Sequence, residues 1–293
     1  MKQKPVFIIL GILAGLNILA WIAVLELSFT QYLEVTFFDI GQGDSIFIET
    51  PENHQILIDG GPTSVILEKL GEEMSFWDRT IDLIVLSHPE HDHIAGLIEV
   101  LKRYKVENIL WTGVLRDTAE YREWQKLINE EGAQIHIAQA GQKINCSKFD
   151  SEQLKFNLDI LYPRENLAGK EVANTNNTSA ILHLVYGENS FLFTGDAYQS
   201  VERELIDKGI EIESDVLKVG HHGSKTSTAS EFIEKVSLEI AVISVGKDNS
   251  YGHPHEEVLA ILAKYGTNIV RTDLNGDIKF LCNFQSLKLK SQD

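Results

Sequence analysis

Leu86-Ser-His-Pro-Glu-His-Asp-His93 is the stretch on which the reading of this chain turns. The apolar run 83–86 leads directly into three histidines and two carboxylates within the six positions from His88 to His93. Core packing does not call for such density at the end of a buried strand. Imidazole and carboxylate together suit zinc, manganese or iron. In a turn, His88 and Glu90 point to one side and Asp92 and His93 to the other. One short loop can then serve two adjacent ions.

Three more clusters are built the same way. The apolar run 191–193 ends in Thr194-Gly-Asp196, which delivers one carboxylate to a strand tip, where it can bridge two ions. Val216-Leu-Lys-Val-Gly-His-His-Gly-Ser-Lys225 ends another apolar strand in His221 and His222. Tyr251-Gly-His-Pro-His255 stands just before an expected helix. Taken singly, each has a plain explanation, a capped turn or a satisfied core histidine. Together they describe one site assembled from strand ends, where open α/β folds place their ligands.

Outward from these clusters, strands and helices alternate from Tyr32 onward. Runs 33–38 and 44–49 flank Gly41-Gln-Gly43, as in a hairpin. Strands are expected at 55–58, 83–86, 108–111, 134–137, 158–162, 179–185, 190–193, 216–219, 240–245, 268–271 and 277–282. Helices are expected at 96–104, 118–131, 199–208, 230–235 and 256–265. The order suggests two β-rich halves covered by helices.

Ahead of this lies the apolar run 6–25, broken only by Asn17 and preceded by Lys2 and Lys4. Its length matches the roughly 20 residues that span a bilayer core. A cleaved signal would want small residues at −3 and −1, and Trp21 would occupy −3 if Ala23 were at −1. An uncleaved single-pass anchor is therefore favoured. The lysines keep the N-terminus cytoplasmic and the rest of the chain extracytoplasmic. Residues 1–31 read as anchor and linker, and 32–293 as one catalytic domain. No later run is long and apolar enough to span.

The net charge of −17 disfavours broad non-specific nucleic-acid binding. It does not exclude a nuclease, because bound cations reverse the sign of a cleft locally. Hydrophobic residues at 43% allow a sizeable core. Cys146 and Cys282 read as two independent core residues, with a single disulfide as the alternative in an extracytoplasmic domain.

With these pieces assembled, the chain resembles the metallo-β-lactamase superfamily, whose His-x-His-x-Asp-His signature is matched by His88-x-Glu-x-Asp-His93. More closely, it resembles the extracytoplasmic domain of ComEC-type DNA-uptake proteins. The matching pieces are Phe38-Asp-Ile-Gly-Gln-Gly-Asp44, Leu57-Ile-Asp-Gly-Gly61, Leu86 to His93, Asn177-Thr-Ser179, Phe193-Thr-Gly-Asp196, Lys218-Val-Gly-His-His-Gly-Ser224 and Asn249-Ser-Tyr-Gly-His-Pro254.

The resemblance implies an α/β fold, a four-layer αββα sandwich, here preceded by one N-terminal transmembrane helix. It implies two divalent ions, Zn²⁺ or Mn²⁺. His88 and Glu90 would hold the first, and Asp92, His93 and His222 the second, with Asp196 bridging. His221 is the weaker candidate of its pair. Asp59, Asn177 and Ser179 would support the site from behind. Glu90 departs from the superfamily's histidine, and the usual third-motif histidine gives way to the Asn177–Ser179 segment. His183 lies nearby, but strand alternation points it into the core. The first site is thus short of nitrogen and should prefer a harder ion such as Mn²⁺.

The implied activity is phosphodiester hydrolysis by a metal-activated hydroxide, with DNA as substrate. Asp92 would assist proton transfer. His253 would serve as acid or phosphate contact, and Ser224 and Lys225 would bind phosphate. His255 reads rather as a helix cap. A channel-forming membrane protein is the partner expected if the chain serves uptake. Two other readings stand beside this one: a phosphoesterase acting on cell-envelope material, and an inactive membrane-bound binding domain.

Overall fold

Strand residues alternate between two apolar environments, and that alternation builds the sandwich. In a computed structural model, residues 4–28, 32–144 and 156–290 are described, with side chains for 4–6 and 22–28 excepted. Lys2, Cys146 and the linker positions 29–31 lie outside the described residues.

The first sheet contains β1 (Leu33–Phe37), β2 (Ile46–Glu49), β3 (Gln55–Ile58), β4 (Thr80–Leu86), β5 (Lys105–Trp111) and β6 (Gln134–Ile137). It is completed at its other edge by β14 (Ile278–Cys282) and β15 (Leu287–Lys290), in the order β15-β14-β1-β2-β3-β4-β5-β6. The second sheet contains β7 (Lys143–Ile144), β8 (Phe156–Tyr162), β9 (Ile181–Tyr186), β10 (Asn189–Phe193), β11 (Val216–Lys218), β12 (Ile240–Ile243) and β13 (Asn268–Arg271). Its order is β13-β12-β11-β10-β9-β8-β7.

Ile46, Ile48, Ile56, Ile58, Leu83 and Val85 face the second sheet and meet Phe191, Phe193 and Val216 there. The Phe37 and Phe193 rings lie 6.1 Å apart between the sheets. The intervening residues Phe47, Leu57, Ile84 and Leu86 face outward onto α2 (Val65–Glu73), α3 (His91–Leu101) and α4 (Ala119–Glu131). On the far side Leu192, Leu217 and Ala241 face α5 (Gln199–Asp207), α6 (Ser230–Val236) and α7 (Glu256–Lys264). Three apolar seams therefore make four layers, α, β, β, α. Cys282 is fully buried in the central seam and is a free thiol.

Helix α1 spans Lys4–Ser28, and its side chains are described for residues 7–21, all of them exposed. Among the described residues no helix is long and apolar enough to cross a membrane. The expected membrane span therefore does not enter the fold as an observation.

The turn after β3 packs against the start of α3 at the closest backbone approach in the first sheet's outer layer. Gly60 N donates to His93 O at 2.9 Å, and Gly96 N donates to Gly61 O at 2.8 Å. A Cβ on Gly96 would overlap the Gly60 carbonyl. Alanine gains about 1 kcal/mol of helix propensity. Overpacking against rigid backbone costs about 1–3 kcal/mol and wins. Gly96→Ala is thus expected to lower Tm by a few degrees and to weaken metal binding, since the same turn carries Asp59. A variant melting at or above the parent temperature would contradict this contact.

Candidate metal centre

The clustered residues converge at one end of the sandwich, because each follows the C-terminal end of a parallel strand. Asp59 follows β3 and His88 follows β4, while His221 and His222 follow β11. Asp196 follows β10, which runs parallel to β11. Helix α3 starts at His91 rather than at the expected 96. Asp92 and His93 therefore sit in its first turn, with Glu90 as N-cap, and are held by helical geometry rather than by a free loop. His221 and His222, the third and fourth residues after β11, have φ of 49° and 54°, which bends the chain back toward Asp196.

Asp196 Oδ2 is the hub. It lies 3.5 Å from Nε2 of His93 and of His222, 3.8 Å from His221 Nε2 and 3.9 Å from His88 Nε2. His222 Nε2 is 3.3 Å from Asp92 Oδ2, and His93 Nε2 is 3.9 Å from Asp92 Oδ1. Ligands about 2.0–2.2 Å from a tetrahedral ion stand roughly 3.3–3.6 Å apart, so this spacing suits a cation at their centre. Asp92, His93, Asp196 and His222 form a set able to hold a metal ion.

The imidazoles are aimed by their far nitrogens. Asp59 Oδ2 meets His93 Nδ1 at 2.8 Å, and its two oxygens also accept from the Ser87 backbone N (2.8 Å) and hydroxyl (2.6 Å). Ser244 O holds His222 Nδ1 at 2.9 Å, and Ser87 Oγ holds His88 Nδ1 at 3.0 Å. Such outer contacts fix the tautomer that presents Nε2 inward. Nε2 of His88 and of His93 are buried without a hydrogen-bond partner, as is Asp196 Oδ1.

The electrostatics agree with this geometry. Burial, reinforced by His93, pushes the His88 pKa down to about 3, so its ring stays neutral. Burial acts against a charge on His222 as well, but Asp196 and Asp44 outweigh it and raise that pKa to about 10. At His93 burial is again overcome, by Asp196, Asp59 and Asp92. Asp92 and Asp196 resist burial and lie below the usual carboxylate range because of His93 and His222. A field that draws protons onto two imidazoles favours a divalent cation in their place. The second-ion donor set therefore fits a metal.

The other candidates stand outside the four-residue set. Glu90 borders the cleft above it, with its carboxylate on Arg116 and Thr175. Ser179 accepts from Asp196 N at 3.1 Å and so steadies that turn. Asn177 Oδ1 accepts from Tyr198 N at 3.4 Å, away from the cluster. Ser224 is buried and its Oγ accepts from Thr226 Oγ at 3.0 Å, while Lys225 is exposed outside the cleft. Neither reaches the cleft, because the chain after His222 folds inward on its own hydroxyls. His183 is buried on β9, 8% exposed.

A cleft of about 170 Å³ opens over the cluster, lined by Gln42, Glu90, Asp92, Asp196, His221 and His253 among others. Burial, with help from His222 and His221, lowers the His253 pKa to about 4. That leaves it neutral near pH 7 and not a ready acid. His255 stands at the N-cap position of α7, without a side-chain bond to the helix.

Two residues escaped the sequence reading. Lys218 is fully buried, pairs with Asp44, donates to Gly195 O at 3.1 Å and lies 3.8 Å from Asp196 Oδ1. Asp44 Oδ1 is 3.3 Å from His222 Nδ1. A lysine within the otherwise apolar run 216–219 was the available signal.

An αββα sandwich with a buried histidine and aspartate cluster at its strand ends defines a class, the metallo-β-lactamase-fold hydrolases. Residues 38–247 match the Metallo-beta-lactamase superfamily, and the chain belongs to it. It is 34% identical over 265 residues to ComE operon protein 3 of Bacillus subtilis, covering 84% of this chain and 33% of that one. It is 30% identical over 277 residues to competence protein ComA of Neisseria gonorrhoeae, covering 91% of this chain and 36% of that one. The chain thus spans about a third of the length of these relatives. Among solved structures, the metallo-beta-lactamase fold protein YhfI from Bacillus subtilis shares the fold, with a TM-score of 0.54 and 14% identity. That alignment covers 85% of this chain and all of the other.

Proposed function

We propose that this chain is a metal-dependent phosphodiester hydrolase that cleaves DNA on the outer side of a membrane. The observation that carries this reading is the set Asp92, His93, Asp196 and His222 beneath an open cleft. The choice of DNA is supported by the resemblance to ComEC-type DNA-uptake proteins and by a relative named competence protein ComA. The outer location is supported by the apolar run 6–25 behind two lysines, which would anchor the domain. A channel-forming membrane protein is its partner in that reading.

Asp92, His93, Asp196 and His222 would hold a divalent ion, which when bound would supply Lewis-acid polarisation of the phosphodiester and a lowered pKa for nearby water. The water oxygen forms a new P–O bond, the ester P–O bond breaks, and one proton passes from the water to the departing alkoxide. Asp92, ionised and lining the cleft, accepts a hydrogen bond from the attacking water and orients it. His253, neutral in the same cleft, donates its N–H to a phosphate oxygen.

A second reading, an envelope phosphoesterase, draws on the net charge of −17, which repels a polyanion at long range. The test is the full chain in detergent, assayed with Mn²⁺ and with Zn²⁺ on single- and double-stranded DNA and on bis(p-nitrophenyl) phosphate. The expected result is cleavage of DNA, stopped by chelation. Cleavage of the small diester with DNA left intact would select the second reading. Inertness toward both substrates with either ion would select a binding domain.

A further inference from the structure

The structure separates the two halves of the expected ion pair. Among the described residues, the groups of three or more ligand-type side chains close enough to share an ion are Asp92–His93–Asp196–His222 and Asp44–Asp59–His93. The second group is already spent. Lys218 pairs with Asp44, and Asp59 holds Ser87 and His93. His88, Glu90 and His221 belong to neither group.

Glu90 is turned aside on both oxygens. Thr175 Oγ donates to Oε1, and Arg116 Nη2 lies 2.9 Å from Oε1 and 3.1 Å from Oε2. The Arg116 side chain is 38% exposed, but the backbone that carries it is tied down. Its neighbour Leu115 donates from N to Lys170 O at 2.9 Å, and Gly113 packs on Ala168. Thr175 is tied to the following turn, where it accepts from Thr178 Oγ at 2.6 Å. Both partners thus project from backbone that is held by neighbouring loops. Glu90 is charge-neutralised with its lone pairs engaged.

What remains for a first ion is His88 Nε2, 3.9 Å from Asp196, and His221 Nε2, 3.8 Å from Asp196 on a nitrogen also met by Asn176 Nδ2 at 3.5 Å. Either one, with the shared carboxylate, supplies two protein ligands. Catalytic sites of this kind usually have three. The second set has four.

We propose that the centre holds one divalent cation, on Asp92, His93, Asp196 and His222, and that Arg116 withholds Glu90 from a second. This rests on the hydrolase reading, since it assumes that an ion binds. In place of the second ion, the Arg116–Glu90 pair borders that side of the cleft, and His88 Nε2 faces Asp196 at 3.9 Å in the gap.

The test counts ions by native mass spectrometry and elemental analysis of the full chain in detergent, loaded with Zn²⁺ or Mn²⁺ and freed of excess. One equivalent is expected in the parent. Glu90→Gln, isosteric and partly exposed, should keep that one equivalent at unchanged affinity, whereas Asp92→Asn should lose it. Arg116→Gln should release the Glu90 carboxylate and let a second, weaker equivalent appear in a titration. Two equivalents in the parent, or an ion lost in Glu90→Gln, overturn the proposal while leaving the hydrolase reading intact. A count that stays at one in Arg116→Gln refutes the withholding role. No bound ion in the parent defeats the hydrolase reading itself, a distinct result.

Discussion

Asp196→Asn is expected to lower kcat/KM for phosphodiester cleavage by roughly 10³-fold, about 4 kcal/mol of lost transition-state stabilisation. Four imidazole nitrogens approach its Oδ2, between 3.5 and 3.9 Å. The amide keeps the volume of the carboxylate and removes its charge. It also presents an N–H₂ face to imidazoles that need an acceptor or a shared cation. The charge that keeps His93 and His222 drawn to the centre falls with it, since Asp196 is the leading attraction on both. Metal content should drop together with activity. The fold should persist, because Asp196 N still donates to Ser179 Oγ and the buried strands are untouched. Kinetics beside elemental analysis check this. A variant within tenfold of the parent that retains its ion would remove Asp196 from the centre.

What could be read from the sequence was whatever sits at a strand end. One ligand-type residue after a buried apolar run has a plain explanation, but several such runs together do not, and His88, Asp196 and His222 were legible for that reason, while Asp59 came from the family resemblance. The alternation of Phe191, Leu192 and Phe193 between two seams was legible because a pleated strand has a period of two. What could not be read was the far partner of each charge. The spacing of the motif locates Glu90, but its direction depends on Arg116 and Thr175, 26 and 85 residues away. Ser224 and Lys225 follow the ligand histidines in sequence, yet the left-handed pair His221–His222 turns the chain so that neither lines the cleft. Asp44 read as the first residue of the strand run 44–49. Only the pairing of distant strands shows that it meets Lys218.

Lys218→Met is the second large effect expected, this time on stability. The methionine fills similar space, but Asp44 would be left as a fully buried carboxylate without its cation, and Asp196 would lose a neighbour. Breaking one side of a buried pair costs about 3–5 kcal/mol. Domains commonly have about 5–15 kcal/mol in total, so the variant should be near its limit. The sign of the pH dependence separates this cause from a mere packing defect. In the parent, burial works to raise the Asp44 pKa, but Lys218, with His222, outweighs it and holds the group below its ordinary value. Such a group adds stability above the unfolded-state pKa of about 3.9, and that stability is lost as the pH falls. Without Lys218 the burial effect gains ground and the Asp44 pKa rises. Where it passes the unfolded value, stability is present at low pH and lost as the pH climbs through the raised pKa. The deficit of Lys218→Met should therefore be larger at pH 8 than at pH 5 in chelator-treated protein. Adding Asp44→Asn should restore part of it, as a coupled pair in a double-mutant cycle requires. A deficit that is independent of pH and simply additive with Asp44→Asn would show that Lys218 serves as filler and not as the counter-charge behind the metal centre.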